Sequence, residues 1–190
     1  MGNTYIEDQE FKNVDFSVNK MTADEYDNCT FINCIFAKTN LSNISFADCV
    51  FDNCDLSMSK LTNTTLRDVR FKACKMLGLH FEDSNPFLFS VNFESCQLSL
   101  SSFYKCALKN MSFNECHLNE VDFTESDLNS SVFNECDLTG AIFENAVLEK
   151  VDFRTSYNFS IDPENNRIAK AKFSQAGIAG LLDKYDIEIE

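Results

Sequence analysis

The chain has 190 residues, with 30 acidic side chains against 16 basic ones and a formal net charge of −14 at pH 7. That length suits a single domain, and that charge repels a phosphate backbone, which excludes nucleic acid as a partner. No apolar run approaches the roughly 20 residues of a membrane span, and the N-terminus lacks the basic-then-apolar layout of a secretion signal, so the expected location is cytoplasmic, with no membrane partner.

From Ile6 every fifth residue is apolar: Ile6, Phe11, Phe16, Met21, Tyr26, Phe31 and so on without exception to Phe81. A period of five fits neither regular element. On a helix it smears the apolar residues around the whole surface, and on a strand it sends successive members to opposite faces. The pattern is satisfied if the chain turns a corner about every five residues, so that each centre faces a common axis. Four short sides then close a coil of about twenty residues, and coils stack at about 4.8 Å. All nine cysteines stand two residues before a centre, on a rung otherwise filled mostly by Ser, Thr, Ala and Val. Pointing inward, they read as reduced core thiols rather than disulfides or metal ligands.

The ladder slips by two residues within 82–87, where Asn85-Pro86 is a turn signal. It is expected to resume at Leu88 and to run, with Leu and Phe alternating, to Phe153. The slip reads either as a tolerated kink or as a recognition bulge displaying Phe87 or Phe89. The ladder therefore predicts a domain over 1–155 of about seven and a half coils, a rod of about 36 Å. Residues 156–190 form a C-terminal cap. It opens on the turn Asp162-Pro163-Glu164, adds one more side with Ile168 and Phe173 inward, and continues from an N-cap at Ser174 into a helix over about 175–185. Ile178, Leu181, Leu182 and Tyr185 lie at helical spacing as one apolar stripe, and Asp186 to Glu190 alternates like a short exposed strand.

Stretches such as Cys136-Asp137-Leu138-Thr139-Gly140 and Val151-Asp152-Phe153-Arg154-Thr155 resemble the A(D/N)LXX unit of the pentapeptide-repeat family. The resemblance implies an all-β solenoid, a right-handed quadrilateral β-helix, here capped by a short C-terminal α-helix. The tail, Lys172-Phe173-Ser174 followed by Gly180-Leu181-Leu182-Asp183-Lys184-Tyr185-Asp186-Ile187, resembles that of the quinolone-resistance (Qnr-type) members. Those are homodimers joined through that helix, and they bind DNA gyrase and topoisomerase IV as DNA mimics. The likeness implies a homodimer interface at Ile178, Leu181, Leu182 and Tyr185, and a protein partner of the topoisomerase class, with protection from quinolones as the attached expectation. Qnr-type proteins carry two projecting loops, whereas this sequence inserts only the two-residue slip.

Charge supplies a candidate surface. Between Lys109 and Lys150 there is no Lys or Arg, and the stretch holds Glu115, Glu120, Asp122, Glu125, Asp127, Glu135, Asp137 and Glu144. Each lies beside or two past an inward centre and is expected to face solvent and a basic partner. Arg67, Arg70, Lys72 and Lys75 make the middle of the rod locally basic. Residues 1–155 carry 12 Lys and Arg against 24 Asp and Glu, a net −12, little more than half the charge of duplex DNA of that length. No phosphate-binding glycine loop, zinc motif or nucleophile elbow occurs, and a convex rod offers no cleft for a reaction. No catalytic residue, metal or cofactor is expected, and His80 and His117 read as surface polar residues. The second reading of the chain is a structural or adaptor module with an unknown protein partner.

Overall fold

Twenty residues along the chain, each apolar centre returns over itself. The computed structural model describes residues 4–188 and builds two neighbouring sides from parallel strands of three or four residues. On one side Tyr5–Glu7, Glu25–Asp27, Ser45–Ala47 and Thr65–Arg67 pair in order. On the next, seven strands run from Glu10–Lys12 to Ser112–Asn114 and Val132–Asn134. The other two sides carry single parallel bridges at the same step, such as Asp15 to Ile35 to Asp55 to Lys75 and Asn40 to Lys60. The architecture is the right-handed quadrilateral β-helix read from the sequence. Among the described residues no helix is long and apolar enough to cross a membrane.

The corners have one backbone device. Two residues past nearly every centre the chain enters the left-handed region; Asn28, Asn33, Lys38 and Asn43, with φ of 48°, 53°, 59° and 64°, carry it round one coil. Asn suits that conformation because its short amide tolerates φ > 0. Inside, phenylalanines on opposite sides form two stacks. Phe93, Phe113, Phe133 and Phe153 follow one another at 5.2, 4.8 and 4.9 Å between ring centroids, nearly parallel. Phe103, Phe123 and Phe143 do the same at 5.3 and 5.1 Å, and the two stacks meet edge to face at about 6 Å. Both geometries suit the ring quadrupole.

The rung before each centre is a column of donors. The thiols of Cys29, Cys34, Cys49, Cys54, Cys74, Cys96 and Cys136 each donate to the carbonyl of a centre one coil earlier, as Cys54 does to Phe31 at 3.3 Å. Ser59, Ser101, Ser131 and Ser156 make the same bond through Oγ, and Asn166 through its amide. Small donors are selected because the carbonyl is buried and its second lone pair needs a partner. Burial pushes the Cys49 thiol up to about 12. Cys74 and Cys116, each beside the thiols of adjacent coils and buried, are pushed up as well. All nine cysteines are free.

Three expectations need correction. Leu88 does not resume the core: it is exposed, at φ 59°, and Phe89 packs inward in its place. The slip adds its residues before Phe89, and the register recovers at once, with Val69 against Val91 and Phe71 against Phe93. The same substitution recurs at the other end of the domain, where Asn158 turns out at φ 60° and Phe159 is buried instead. Phe87 is exposed.

The cap is helical, but as two 3₁₀ segments, Ala176–Leu181 and Asp183–Tyr185, rather than one α-helix. The reason lies in contacts with Phe159 and Ile161. The Gly180 carbonyl accepts the N–H of Ile161 at 2.9 Å, so it is engaged outside the helical segments. Gly177 and Gly180 lie against Phe159; a Cβ on Gly180 would stand 2.1 Å from the Phe159 carbonyl oxygen. Ser174 does cap the start, its Oγ accepting the Gly177 N–H at 3.0 Å. Ile168 and Phe173 pack on the core, and bridges from Val147 to Arg167 and from Asp152 to Lys172 form the extra coil. No strand forms over residues 186–188, and residues 189 and 190 lie outside the described residues.

Candidate protein-binding surface

Glu115, Glu120 and Glu125 stand two residues past Phe113, Leu118 and Phe123, so they occupy three successive corners of one coil, with φ of 52°, 55° and 55°. Glu135, at φ 53°, stands one coil beyond Glu115 in the same column. The acidic residues therefore form a collar round the rod, not a stripe along one side. All four glutamates and Glu144 are exposed. Glu115 accepts from Ser95 Oγ at 3.0 Å, and Glu125 meets Lys105 at 3.4 Å and the Tyr104 hydroxyl at 3.3 Å. The carboxylates of Glu120, Glu135 and Glu144 make no hydrogen bond or ion pair among the described residues. Gly140, in the left-handed region at φ 68°, leaves room for Glu120, whose Cγ would be 3.2 Å from a Cβ there.

The aspartates of the same stretch are half-buried and serve the backbone. Asp122, Asp127 and Asp137 each stand one residue before a centre and accept the N–H two residues on, from Thr124, Asn129 and Thr139 at 2.8, 3.2 and 3.2 Å. Asp127 also pairs with Lys109 at 3.0 Å. Burial works against the charged form of Asp137, but hydrogen bonds from Thr139, Asn158 and Asn119 outweigh it and hold the carboxyl at about 2. Asp152, bound by the Arg154 side chain, is likewise held at about 2 against its burial. The basic middle is largely tied down: Arg67 lies 3.9 Å from both Asp27 and Asp48, Lys72 3.8 Å from Glu94, and Lys75 3.9 Å from Asp55. Surface pairs of this kind contribute little to stability; within the collar, Glu125 alone makes one among the described residues.

At the C-terminal end the apolar stripe divides. With three residues per turn, Ile178 and Leu181 share one edge and Leu182 and Tyr185 another. Leu181 packs on the core of its own chain, Leu182 is half-buried, and Ile178 and Tyr185 are exposed, with the Tyr185 hydroxyl donating to Glu164 at 3.2 Å. Lys184 fastens the cap to the preceding turn, 2.7 Å from both Asp162 and Glu164, and these contacts raise its pKa above the usual lysine range. Ile187 adds a further exposed apolar side chain. The glycine pair that seats the cap escaped the sequence reading; its three-residue spacing opposite Phe159 was the available signal.

A family model described as a pentapeptide repeat region matches residues 24–86 and 87–157. The chain belongs to the pentapeptide-repeat family. No curated protein matches this family member. Its fold is similar to two structures of trypsin-treated QnrB1, a plasmid-mediated fluoroquinolone resistance protein, each with a TM-score of 0.64. One is 18% identical, with 98% of this chain and 100% of that one covered. The other is 16% identical, with both chains covered in full. HetL from the cyanobacterium Nostoc, a pentapeptide-repeat protein involved in regulating heterocyst differentiation, is 14% identical with a TM-score of 0.51 over 89% of this chain and 86% of its own. At these identities the likeness is one of fold.

Proposed function

We propose that this pentapeptide-repeat protein is a non-enzymatic binding rod, an acidic DNA mimic that docks on a type II topoisomerase, DNA gyrase or topoisomerase IV, and protects it from quinolones. The observation that carries the reading is the collar: Glu115, Glu120, Glu125 and Glu135 held outward on a rigid frame, two of them with no partner among the described residues. Carboxylates carried on fixed backbone corners present a basic groove with the sign of phosphates. The end-to-end match in fold to trypsin-treated QnrB1 supports the same reading. In this proposal a second copy covers Ile178, Leu182 and Tyr185 at the cap, making a symmetric dimer with a collar on each arm.

The test is gyrase supercoiling and cleavage-complex formation with ciprofloxacin, titrating the protein at low and moderate salt. Rescue or inhibition that weakens with salt and disappears when Glu115, Glu120, Glu125 and Glu135 are changed to Gln is the expected result. No effect across the titration would leave the adaptor reading, with a different protein partner. Light scattering at tens of micromolar, with Leu182→Asp as the control, tests the dimer separately.

A further inference from the structure

One stack of phenylalanine rings runs the length of the rod, from Phe11 through Phe31 and Phe51 to Phe153 and Phe173, each ring stacked on the next at 4.7 to 5.5 Å. Its two ends differ. At the C-terminal end Phe173 meets Phe159, on which the cap is seated. At the N-terminal end Phe11 and the neighbouring centre Ile6 are only half-buried, whereas Tyr26 and Phe31, one coil on, are buried. The strands that carry them, Tyr5–Glu7 and Glu10–Lys12, each stand last in their sheet and pair on one side only. The Gln9 carbonyl accepts the Thr30 N–H and the Asn13 N–H donates to Ile32, both at 2.9 Å. Backbone groups alternate sides along a strand, so the N–H and C=O of Glu10 and Lys12 face the open edge. Such an edge is a template for a further strand.

Charge selects what can add there. Residues 4–27 hold seven Asp and Glu against two Lys. Lys12 pairs with Glu10 at 2.7 Å, while Glu7, Asp8, Asp15, Asp24 and Glu25 make no ion pair among the described residues. A second copy presenting the same end would set like charges against each other. A basic strand meets all three features: the edge takes its backbone, Ile6 and Phe11 take its apolar side chains, and the carboxylates take its cations.

We propose that the N-terminal end of the rod docks an extended basic segment of a partner protein, which adds as one more pair of strands and sets two apolar residues, five apart, over Ile6 and Phe11. The spacing follows from the frame, because one corner separates the two centres. This site lies at the end of the rod opposite the cap and is independent of the acidic collar and of any topoisomerase.

The test is calorimetric titration of the full chain with acetylated, amidated peptides of about twelve residues built around Leu-Lys-Asn-Lys-Lys-Phe. The Leu and Phe stand over the two centres, the first Lys faces Glu7, and Asn takes the left-handed corner. One control moves the Phe by a single place, so that the apolar pair stands four apart; another replaces each Lys by Glu. The parent peptide is expected to bind at least about tenfold tighter than the four-apart isomer, since a one-residue shift turns an apolar side chain outward, and the acidic version should not bind. Glu7→Lys with Glu10→Lys, both exposed side chains, should weaken the parent peptide at least about tenfold. The proposal is overturned if the parent peptide does not bind, or if the isomer binds as well, which would assign binding to the general negative charge of the rod. It is overturned equally if binding survives the charge reversal. A Leu182→Asp chain that still dimerises and takes no peptide would give this end to a second copy, and would overturn it too.

Discussion

Asn33 and Glu115 occupy the same backbone position in two halves of one rod, with φ of 53° and 52°, each two residues past an inward phenylalanine and both on one column of corners. In the N-terminal half that column stacks amides: Asn33 Nδ2 donates to Asn13 at 3.3 Å and Asn53 Nδ2 to Asn33 at 2.8 Å, while Asn63 donates to Asn43 at 2.9 Å on another corner. In the C-terminal half the column carries Glu115 and Glu135, and neighbouring corners carry Glu120 and Glu125. Asn suits the left-handed conformation and pairs with its own kind; Glu has no such preference and repels its own kind. The first half is built from corners that stabilise the coil, and the second tolerates corners that do not. Beyond the contacts of Glu115 with Ser95 and of Glu125 with Lys105 and Tyr104, the glutamates add charge facing outward.

Changes to the shared core should leave the two halves indistinguishable. Phe31→Ala and Phe123→Ala are each expected to cost about 3–5 kcal/mol, read from chemical denaturation; a much smaller loss at Phe123 would mean that the halves differ in packing as well as in corners. Acid should act on the C-terminal half. Asp137 and Asp152 have folded-state values depressed from 3.8 to about 2, so their contribution is present above pH 4 and is lost as pH falls toward 2. With surface screening discounted, that loss is about 1–2 kcal/mol, and an Asp152→Asn variant should flatten the decline. At the corners, Asn33→Ala removes two amide contacts and keeps the left-handed φ, for a loss of about 1–2 kcal/mol. Glu115→Ala should stay within about 0.5 kcal/mol. The last effect has the opposite sign and is small at any one site: Glu115, Glu120, Glu125 and Glu135 changed together to Asn should raise stability by about 0.5 kcal/mol per site, about 2 kcal/mol in all, while removing any salt-sensitive binding to a basic partner.

The coil itself was legible because one residue in five must be apolar for the stack to close, and that constraint repeats without interruption from Ile6 to Phe81. Leu88 misled because it is as apolar as a centre and keeps the count, whereas the choice between Leu88 and Phe89 depends on which one the turn after Pro86 can aim inward. The helical stripe of the cap was legible in composition but not in pitch. What shortens the turn is a carbonyl bond to Ile161 and the close approach of Phe159 to Gly180, contacts with a distant part of the chain. The collar's positions follow from the five-residue count, but its shape did not: a run of acidic residues in sequence reads as a patch, and winding it round a coil of twenty spreads it over several sides. The aspartates' hydrogen bonds to backbone N–H groups, which separate them from the glutamates, needed coordinates.

The donor column has a consequence for ancestry. A buried carbonyl that asks only for a small donor is served equally by the thiol of Cys54, the hydroxyl of Ser131 or the amide of Asn166. Mutation can exchange these chemistries at a rung without disturbing the coils on either side, and the same holds at the centres between Leu, Phe, Met and Tyr. Sequences on this scaffold can therefore differ at nearly every position while keeping every turn, and a chain 16% identical to QnrB1 shares its fold from end to end.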